Sequence, residues 1–340
     1  MKSSNTHQVS FANTDLSINI DCGDTLLGGI LRAGIGAPYE CNAGGCGSCK
    51  YKLVQGIVAD DLEDTAGLRA SDKRKNKHLA CISRPQSDCI VDLKLDPQYT
   101  PQNIPAKSPA TLHSVEKLTH DLWEFRFDSV GPARFLPGQY AKISLPDVHG
   151  PRSYSMSNVA NEEGKWLFQI KKVVGGAASE VLFKESLKNL NVTIDAPYSI
   201  AHLKSDSQRQ AICIAGGSGL APMVSILHGI TQLEHVKPDP VLYYGARSCR
   251  DVVDKSYFNT ISGFRPEDQY IPVVSEPAQN DSWAGATGMV HDFLKTHLED
   301  AACDYEYYLA GPPPMVDAVR RHLVLDRGVP VEQLHYDRFF

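Results

Sequence analysis

Hydrophobic and polar residues alternate in short runs over the first hundred positions, and this pattern predicts a small mixed α/β fold. Residues 7–12 and 16–20 alternate around a polar turn, which indicates a β-hairpin. Asp24 is expected to cap the short helix that follows, whose apolar face carries Leu26, Leu27, Ile30 and Leu31. Residues 51–54 and 90–95 repeat the strand pattern, so a sheet crossed by one helix is predicted.

The next stretch changes first to proline and then to closely spaced strand patterns. Four prolines between residues 96 and 109 indicate a semi-rigid linker. Beyond the linker, short runs separated by turn residues are typical of a β-barrel or sandwich. The predicted strands are 111–118, 122–127, 139–145, 166–173 and 192–194. One helical segment, from residue 177 to about 187, interrupts them.

From residue 210 onward, apolar runs alternate with segments of helical period. Residues 211–215 form a continuous apolar strand, and Met223, Val224, Leu227 and Ile230 then recur at helical spacing. Residues 211–230 contain no charged side chain, but a glycine-rich turn in the middle favours a strand, a turn and a helix over a membrane span. Further strands are predicted at 241–244, 270–274 and 305–310, and helices at 289–298 and 315–327. This alternation predicts a parallel sheet covered on both faces.

The three patterns divide the chain into three predicted domains. Residues 1–97 form an α+β domain, 98–109 the linker, 110–205 an antiparallel β-barrel, and 206–340 a doubly wound α/β domain with a parallel sheet.

Four cysteines carry the first candidate chemistry. Cys41, Cys46 and Cys49 lie in the loop CNAGGCGSC, and Cys81 follows after a long interval, which is the plant-type spacing for a [2Fe–2S] cluster. The glycines of the loop allow its backbone N–H groups to approach the cluster sulfurs. A structural zinc site is the alternative, although such sites usually show two short-spaced ligand pairs.

Composition narrows the class of protein. The 340 residues carry a formal net charge of −6, which argues against nucleic acid as a general partner. The five cysteines outside the iron motif are scattered, so reduced thiols in a reducing compartment are expected. The first residues show no apolar signal region, and a cytoplasmic protein is expected.

Two motifs in the barrel segment suit a flavin nucleotide. A predicted strand begins with Arg152, Tyr154 and Ser155. The arginine could pair a phosphate, the tyrosine could cover a ring face, and the serine could donate a hydrogen bond. The turn Gly175-Gly176-Ala177-Ala178-Ser179 opens a helix, and unpaired N–H groups at a helix start favour phosphate. An ordinary strand with a surface arginine would explain the first motif equally well.

Two turns in the last segment suit a second nucleotide. The run GGSGLAP at residues 216–222 follows a strand and opens a helix, which is typical of phosphate binding. The acidic residue that a Rossmann fold places at the end of the next strand is missing, so a different doubly wound domain is expected. The run AGPPPM at residues 310–315 also ends a strand, although in isolation it reads as a rigid proline turn.

In this order the motifs resemble the reductase component of bacterial multicomponent oxygenases, within the ferredoxin–NADP⁺ reductase superfamily. The resemblance covers essentially the whole chain. It implies a β-grasp ferredoxin domain, a flavin barrel and a nucleotide domain. The ending LHYDRFF is most similar to reductases of toluene- and xylene-type monooxygenases, whereas WAGATGMVHD is also similar to a reductase of deoxysugar biosynthesis.

The resemblance also implies roles for individual residues. Ser155, Asp337 and Phe339 would be catalytic, with Ser155 near the flavin N5 and Phe339 shielding the flavin face. The FAD would be held by Arg152, Tyr154, Ser155, Gly176, Ala177 and Ser179. The nicotinamide nucleotide would be bordered by Gly216, Gly217, Gly219, Gly311, Pro312 and Met315. Ala310 stands where the family usually has cysteine, and Asp337 where it usually has glutamate.

These features lead to the interpretation that the chain is an NADH-dependent electron transferase. Electrons would pass from NADH to FAD, to the [2Fe–2S] cluster, and on to an oxygenase hydroxylase component or a Rieske-type ferredoxin in aromatic hydrocarbon oxidation. A reductase serving a deoxysugar dehydrase is the alternative. A non-enzymatic metal-binding interaction protein is the alternative from another class.

Overall fold

The structure, a computed structural model, describes residues 6–12, 14–184, 187, 189–233, 239–278, 283–298 and 302–340. The chain divides into two units. The first contains Met1–Lys107, Asp195–Tyr198 and Phe340, and the second contains Ser108–Ile194 and Ser199–Phe339. Within the described residues no helix is both long and apolar enough to cross a membrane.

The first unit is built on a five-stranded sheet in the order β2-β1-β7-β3-β5. β1 and β2 form the antiparallel hairpin that the sequence predicted, although its turn residue Asn13 lies outside the described residues. β7 runs parallel to β1, so the sheet is mixed, and β4 and β6 form a separate small ladder. The elements are β1 Thr6–Phe11, β2 Ser17–Asp21, α1 Leu26–Arg32, β3 Lys50–Gln55, β4 Val58–Asp60, α2 Ala70–Lys73, β5 Lys77–Leu79, β6 Ser83–Pro85 and β7 Cys89–Asp92.

Helix α1 packs the apolar face that its sequence predicted. Its four leucine and isoleucine side chains are fully buried. The prediction that Asp24 caps this helix is wrong by one residue, because the Thr25 hydroxyl accepts the Gly28 N–H at 3.1 Å. Asp24 instead accepts the N–H of Thr25 and pairs with Arg32 at 2.7 Å.

A six-stranded sheet follows in the order β11-β10-β13-β8-β9-β12, in which β10 and β11, β8 and β9, and β9 and β12 pair antiparallel. A bridge between Met156 and Phe168 joins the segments after β11 and within β12, so the sheet closes into the predicted barrel. The elements are β8 Ala106–Lys117, β9 Leu122–Ser129, β10 Tyr140–Ser144, β11 Arg152–Ser155, β12 Lys165–Lys171, α3 Ala177–Leu182 and β13 Asn191–Tyr198.

Two predicted boundaries near the barrel shift. Strand β8 begins at Ala106, so the last four residues of the predicted linker are strand, and a short 3-10 turn, Pro97–Tyr99, occupies its start. Helix α3 ends at Leu182 instead of continuing to about residue 187, and residues 185, 186 and 188 lie outside the described chain.

The rest of the second unit is a six-stranded parallel sheet in the order β17-β16-β15-β14-β18-β19. The elements are β14 Gln210–Gly216, α4 Leu220–Thr231, β15 Val241–Ala246, α5 Pro266–Gln269, β16 Tyr270–Val274, β17 Ala286–Thr287, α6 Val290–His297, β18 Tyr305–Gly311, α7 Pro313–Arg321 and β19 Leu334–Arg338. The segment after α7 continues as a π-helix, His322–Asp326, and β19 was not predicted.

Strand β14 explains why this sheet is covered on both sides. Ala211, Cys213 and Ala215 point into one buried apolar cluster, and Ile212 and Ile214 point into another on the opposite face. A strand buried on both faces requires a continuous apolar run, which is the pattern that the sequence shows.

Candidate functional site

The cysteine loop is shaped so that backbone N–H groups point at sulfur. The N–H groups of Ala43 and Cys46 lie 3.5 and 3.4 Å from the Cys41 sulfur, and the Ser48 N–H lies 3.5 Å from the Cys46 sulfur. The hydrogen bond from the Cys41 thiol lowers the pKa of Cys46 to about 5, while the same contact, together with burial, raises the pKa of Cys41. Cys49 and Cys81 are buried.

The donor chemistry of this loop fits a two-iron cluster better than a single zinc ion. N–H groups aimed at sulfur stabilise thiolate and cluster sulfide charge. Four thiolates around one zinc would lie about 3.8 Å apart. In the described part of the chain the four cysteines do not form a group of ligands within 4.8 Å of one another.

Glycines fix the loop conformation, including one that sequence reasoning missed. Gly44 and Gly47 have φ of 81° and 79°, which a side chain disfavours. The Gly67 N–H donates to the Gly44 carbonyl at 3.0 Å, and a Cβ on Gly67 would lie 2.6 Å from that oxygen. Gly67 therefore supports the cysteine loop, and no local motif marked it.

Three acidic residues between positions 60 and 64 have partners within the first unit. Asp60 contacts His78 at 2.7 Å, Asp61 contacts Arg84 at 2.6 Å, and Asp64 contacts Lys73 at 2.8 Å. These three carboxylates are therefore engaged in local contacts and do not form an unpaired acidic patch.

The candidate flavin residues lie on β11 and at the start of α3. Nη1 of Arg152 donates to the carbonyls of three preceding residues, His149, Gly150 and Pro151, at 3.1 to 3.2 Å, and among the described residues its other nitrogens remain available for a ligand. Burial raises the pKa of Tyr154 to about 12, with Arg152 opposing the shift. Ser155 is buried and lies opposite Tyr140 in the β10–β11 ladder.

The glycine turn before α3 is closed by its own serine. The Ser179 hydroxyl accepts the Val173 N–H at 2.9 Å, and Gly176 stands at the N-cap of α3, followed by Ala177. Val174 is 98% exposed, so an apolar side chain stands in solvent beside this turn. An arginine with open donors and a glycine turn at a helix start are groups that fit a flavin nucleotide.

The two nucleotide turns meet at the carboxyl ends of β14 and β18. A Cβ on Gly216 would lie 2.6 Å from the Met315 sulfur, and a Cβ on Gly219 would overlap the Ala310 carbonyl oxygen. Gly311 has φ of 147°, and a Cβ there would lie 3.0 Å from the Gly216 carbonyl. These glycines allow two backbones to touch at the strand ends where open α/β sheets bind ligands. Gly217, with φ of 55°, and Pro312 border the same place.

The C-terminal strand brings the last candidate residues to this edge. Asp337 on β19 pairs with Ala310 on β18, and the Phe339 N–H donates to the Gly311 carbonyl at 2.9 Å. Asp337 is buried, and Phe339 is partly buried against the apolar cluster on one face of the sheet. The structure thus brings Asp337 and Phe339 to the glycine turns.

Ser199 and Lys171 also reach this region and were missed by sequence reasoning. The Ser199 hydroxyl contacts both Asp337 oxygens, at 3.0 and 2.9 Å. Lys171 lies beside Gly217, with Nζ 3.3 Å from Asp121 and 3.5 Å from Asp251. Those two carboxylates and His120 have ligand atoms within 4.8 Å of one another, but the lysine ammonium contacts both carboxylates and offsets part of their charge.

A cavity of about 960 Å³ lies at the opposite end of the parallel sheet, away from the glycine turns. Glu306 lines it and contacts His335 at 2.6 Å, Ser207 at 2.7 Å and Arg209 at 3.4 Å. Burial acts to raise the pKa of Glu306, but hydrogen bonds from His335 and Ser207 outweigh it and the pKa is lowered. Because the Glu306 carboxylate is fully paired, this cavity offers fewer groups to a ligand than the glycine turns at the other end of the sheet.

Three protein-family models match successive parts of the chain. The 2Fe-2S iron-sulfur cluster binding domain matches residues 11–86. The oxidoreductase FAD-binding domain matches residues 109–202, and the oxidoreductase NAD-binding domain matches residues 213–321.

Relatives match from end to end. The chain is 38% identical over 321 residues to the ferredoxin–NAD(P)⁺ reductase CarAd of Metapseudomonas resinovorans, covering 94% of this chain and 95% of that protein. It is 33% identical to the xylene/toluene monooxygenase electron transfer component XylA of Pseudomonas putida, covering 98% and 93%. Among solved structures, the ferredoxin reductase in carbazole 1,9a-dioxygenase matches with a TM-score of 0.90 at 34% identity, covering 98% of both chains.

Proposed function

The chain belongs to the ferredoxin–NADP⁺ reductase superfamily, in the group with a [2Fe–2S] domain at the N-terminus, and we propose that it is the reductase component of a multicomponent oxygenase. It is an oxidoreductase that carries electrons from NAD(P)H through FAD and the [2Fe–2S] cluster to an oxygenase or its ferredoxin. The observation that carries the proposal is the end-to-end match to the xylene/toluene monooxygenase component and to the ferredoxin reductase in carbazole 1,9a-dioxygenase. An aromatic hydrocarbon system is therefore proposed.

The chain's own residues supply binding and orientation. The cluster would be held by Cys41, Cys46, Cys49 and Cys81. The N–H groups aimed at the sulfurs of the cysteine loop support this assignment. Arg152, Tyr154 and Ser155 would hold the flavin ring and a phosphate, and Gly176, Ala177 and Ser179 would border the phosphates. The open nitrogens of Arg152 support this role, because a guanidinium pairs phosphate through two parallel hydrogen bonds.

The coenzyme would bind where the two glycine turns touch. It would be bordered by Gly216, Gly217, Gly219, Gly311, Pro312 and Met315. The close approach of β14 and β18 supports this site. Phe339 would cover the flavin face until the nicotinamide displaces it. NADH is the proposed coenzyme. Arg247 and Arg250 are exposed near the end of β15, so NADPH is included in the test.

The proposed domain boundaries are those of the sequence patterns, with residues 1–97, 110–205 and 206–340 as three domains and residues 98–109 as the linker between the first two. The successive family matches support this division. A cytoplasmic location is proposed because the five cysteines outside the iron motif are scattered along the sequence, as expected of thiols in a reducing compartment. The deoxysugar alternative is not favoured, since the relatives described above include components of xylene/toluene monooxygenase and carbazole 1,9a-dioxygenase.

An anaerobic titration tests the function. The purified holoprotein should show flavin and [2Fe–2S] absorption, and full reduction should take about 1.5 equivalents of NADH, because a flavin accepts two electrons and a [2Fe–2S] cluster one. NADPH is titrated in parallel. Reduction of a Rieske-type ferredoxin or an aromatic-ring oxygenase by the reduced protein would identify the acceptor class. A colourless protein, or one that neither coenzyme reduces, would contradict the proposal.

A further inference from the structure

Ser199 has an unusual backbone for a residue with a side chain. It follows β13 and has φ of 94°, in the left-handed half of backbone space that L-residues avoid. The other non-glycine residues with positive φ among those described are asparagines and one aspartate, all with φ between 51° and 57°. Asn and Asp tolerate that region, whereas serine at 94° is strained. Such strain persists only where the surroundings hold it, and it concentrates at functional sites.

Groups that hold Ser199 in place include three from the second unit. The Gln139 side-chain amide donates to the Ser199 carbonyl at 2.9 Å, and the Ala201 N–H donates to its hydroxyl oxygen at 2.9 Å. The hydroxyl in turn donates its proton to the carboxylate of Asp337, 3.0 and 2.9 Å from the two oxygens. Ser199, Gln139 and Asp337 are all buried. A buried carboxylate requires donors, so this hydroxyl helps to fix where the Asp337 oxygens lie.

The contacts join two parts of the proposed site. Gln139 immediately precedes Tyr140, which pairs with Ser155 on the proposed flavin strand. Asp337 pairs with Ala310, next to the glycine turn proposed for the coenzyme, and Phe339 lies two residues further along the chain. Gln139, Ser199 and Asp337 therefore connect the flavin strand to the C-terminal strand by hydrogen bonds.

We propose that Ser199 is a positioning residue for hydride transfer, which holds the Asp337 carboxylate and the following Phe339 in register with the flavin strand. The proposal rests on the function proposed above. A misplacement of about 1 Å between reacting groups can slow a reaction about a hundredfold, so loss of the hydroxyl should act on the reduction step more than on binding. A purely structural role would instead lower stability and leave that step unchanged.

The variants separate the hydroxyl from the backbone strain. Ser199→Gly removes both, Ser199→Ala removes only the hydroxyl, and Asp337→Asn changes the carboxylate. Asp147→Gly is the matched backbone control, because Asp147 also has positive φ and is exposed on a turn. Should the alanine variant fail to fold, the glycine variant, which relieves strain, decides the question.

Two measurements are made on the FAD-loaded chain. Stopped-flow reduction over a range of NADH concentrations separates the limiting rate from the coenzyme Kd, and hydrogen–deuterium exchange of residues 334–340 reports how firmly β19 is held. We expect both Ser199 variants to lower the limiting rate at least tenfold, with FAD content and Kd within threefold of the parent and faster exchange in β19. Asp147→Gly should match the parent.

The double variant Ser199→Gly with Asp337→Asn gives the sharper criterion. If Ser199 acts through Asp337, NADH should reduce the flavin of the double variant no more slowly than the flavin of Asp337→Asn alone. The inference would be overturned if both Ser199 variants kept limiting rates above one-tenth of the parent value. It would also be overturned if the double variant were slowed by the product of the two single effects. A parent protein that NADH and NADPH both fail to reduce would instead contradict the proposed function, and this inference with it.

Discussion

At the scale of the residue, burial decides the protonation state of His202. The ring is partly buried after β13, with Nδ1 3.0 Å from the Leu203 carbonyl. Burial lowers the pKa of His202 to about 4, Lys204 and His335 add to the effect, and the Leu203 carbonyl opposes it. The folded protein therefore keeps this imidazole neutral at pH values where a free imidazole is charged.

The lowered pKa of His202 predicts that the protein loses stability as the pH falls from 6.5 to 4. Between pH 6.5 and pH 4 the unfolded chain binds a proton at His202 and the folded chain does not, so the free energy of unfolding falls as the pH falls. The loss is on the order of 1–3 kcal/mol. His202→Gln should show a flatter dependence of stability on pH in urea melts at pH 7 and pH 5. His113→Gln, at an exposed histidine, is the control, and equal slopes in all three proteins would refute the prediction.

At the scale of the element, the turn between β14 and α4 depends on a missing side chain. Gly219 has φ of −62°, a helical value that any residue adopts. Its need for glycine is therefore steric, because the Ala310 carbonyl at the end of β18 occupies the place of a Cβ. The two strand ends can approach only with glycine at this position.

Gly219→Ala should accordingly push β18 away from the turn. Overpacking of this kind costs about 1–3 kcal/mol, even though alanine favours the helix. We expect a lower melting temperature together with a raised Kd for NADH, measured by equilibrium titration. Gly245→Ala is the control on the neighbouring strand, where the nearest atom would be a Val290 methyl at 3.3 Å. Normal NADH affinity in Gly219→Ala would exclude this turn from the coenzyme site.

Elements set by local rules could be predicted from the sequence, and those set by distant contacts could not. The strand β14 and the face of α1 follow from periodicity. The iron loop follows from ligand spacing, which is a local constraint. The contact between Ser199 and Asp337 joins positions 138 residues apart, and nothing near either residue marks it. Gly67 was missed for the same reason, since its partner Gly44 lies in another loop. The cap of α1 moved by one residue because Asp24 is recruited by Arg32 instead.

At the scale of the whole molecule, the two units carry different parts of the proposed electron path. The cysteine loop belongs entirely to the first unit, and the glycine turns with the C-terminal strand residues Asp337 and Phe339 belong to the second. Coenzyme binding should therefore not require an intact cysteine loop.

Cys46→Ala tests this division. It removes one of four thiolates, so the [2Fe–2S] absorption should be lost, while NADH still reduces the flavin and full reduction takes about 1 equivalent instead of about 1.5. Cys303→Ala, at an exposed cysteine of the second unit, should behave as the parent does. Retention of a normal cluster spectrum in Cys46→Ala would falsify the ligand assignment.

The order of the parallel sheet also bears on how the protein avoids self-association. Its two edge strands are β17, only two residues long, and β19. An open edge invites pairing with another chain, and charged side chains discourage it. β19 carries His335, which contacts Glu306, and Arg338, which contacts Asp317, so this edge presents polar and charged side chains of the kind that discourage pairing with a second chain. The strand that brings Asp337 and Phe339 to the proposed coenzyme site thus also carries side chains that oppose the addition of a further strand.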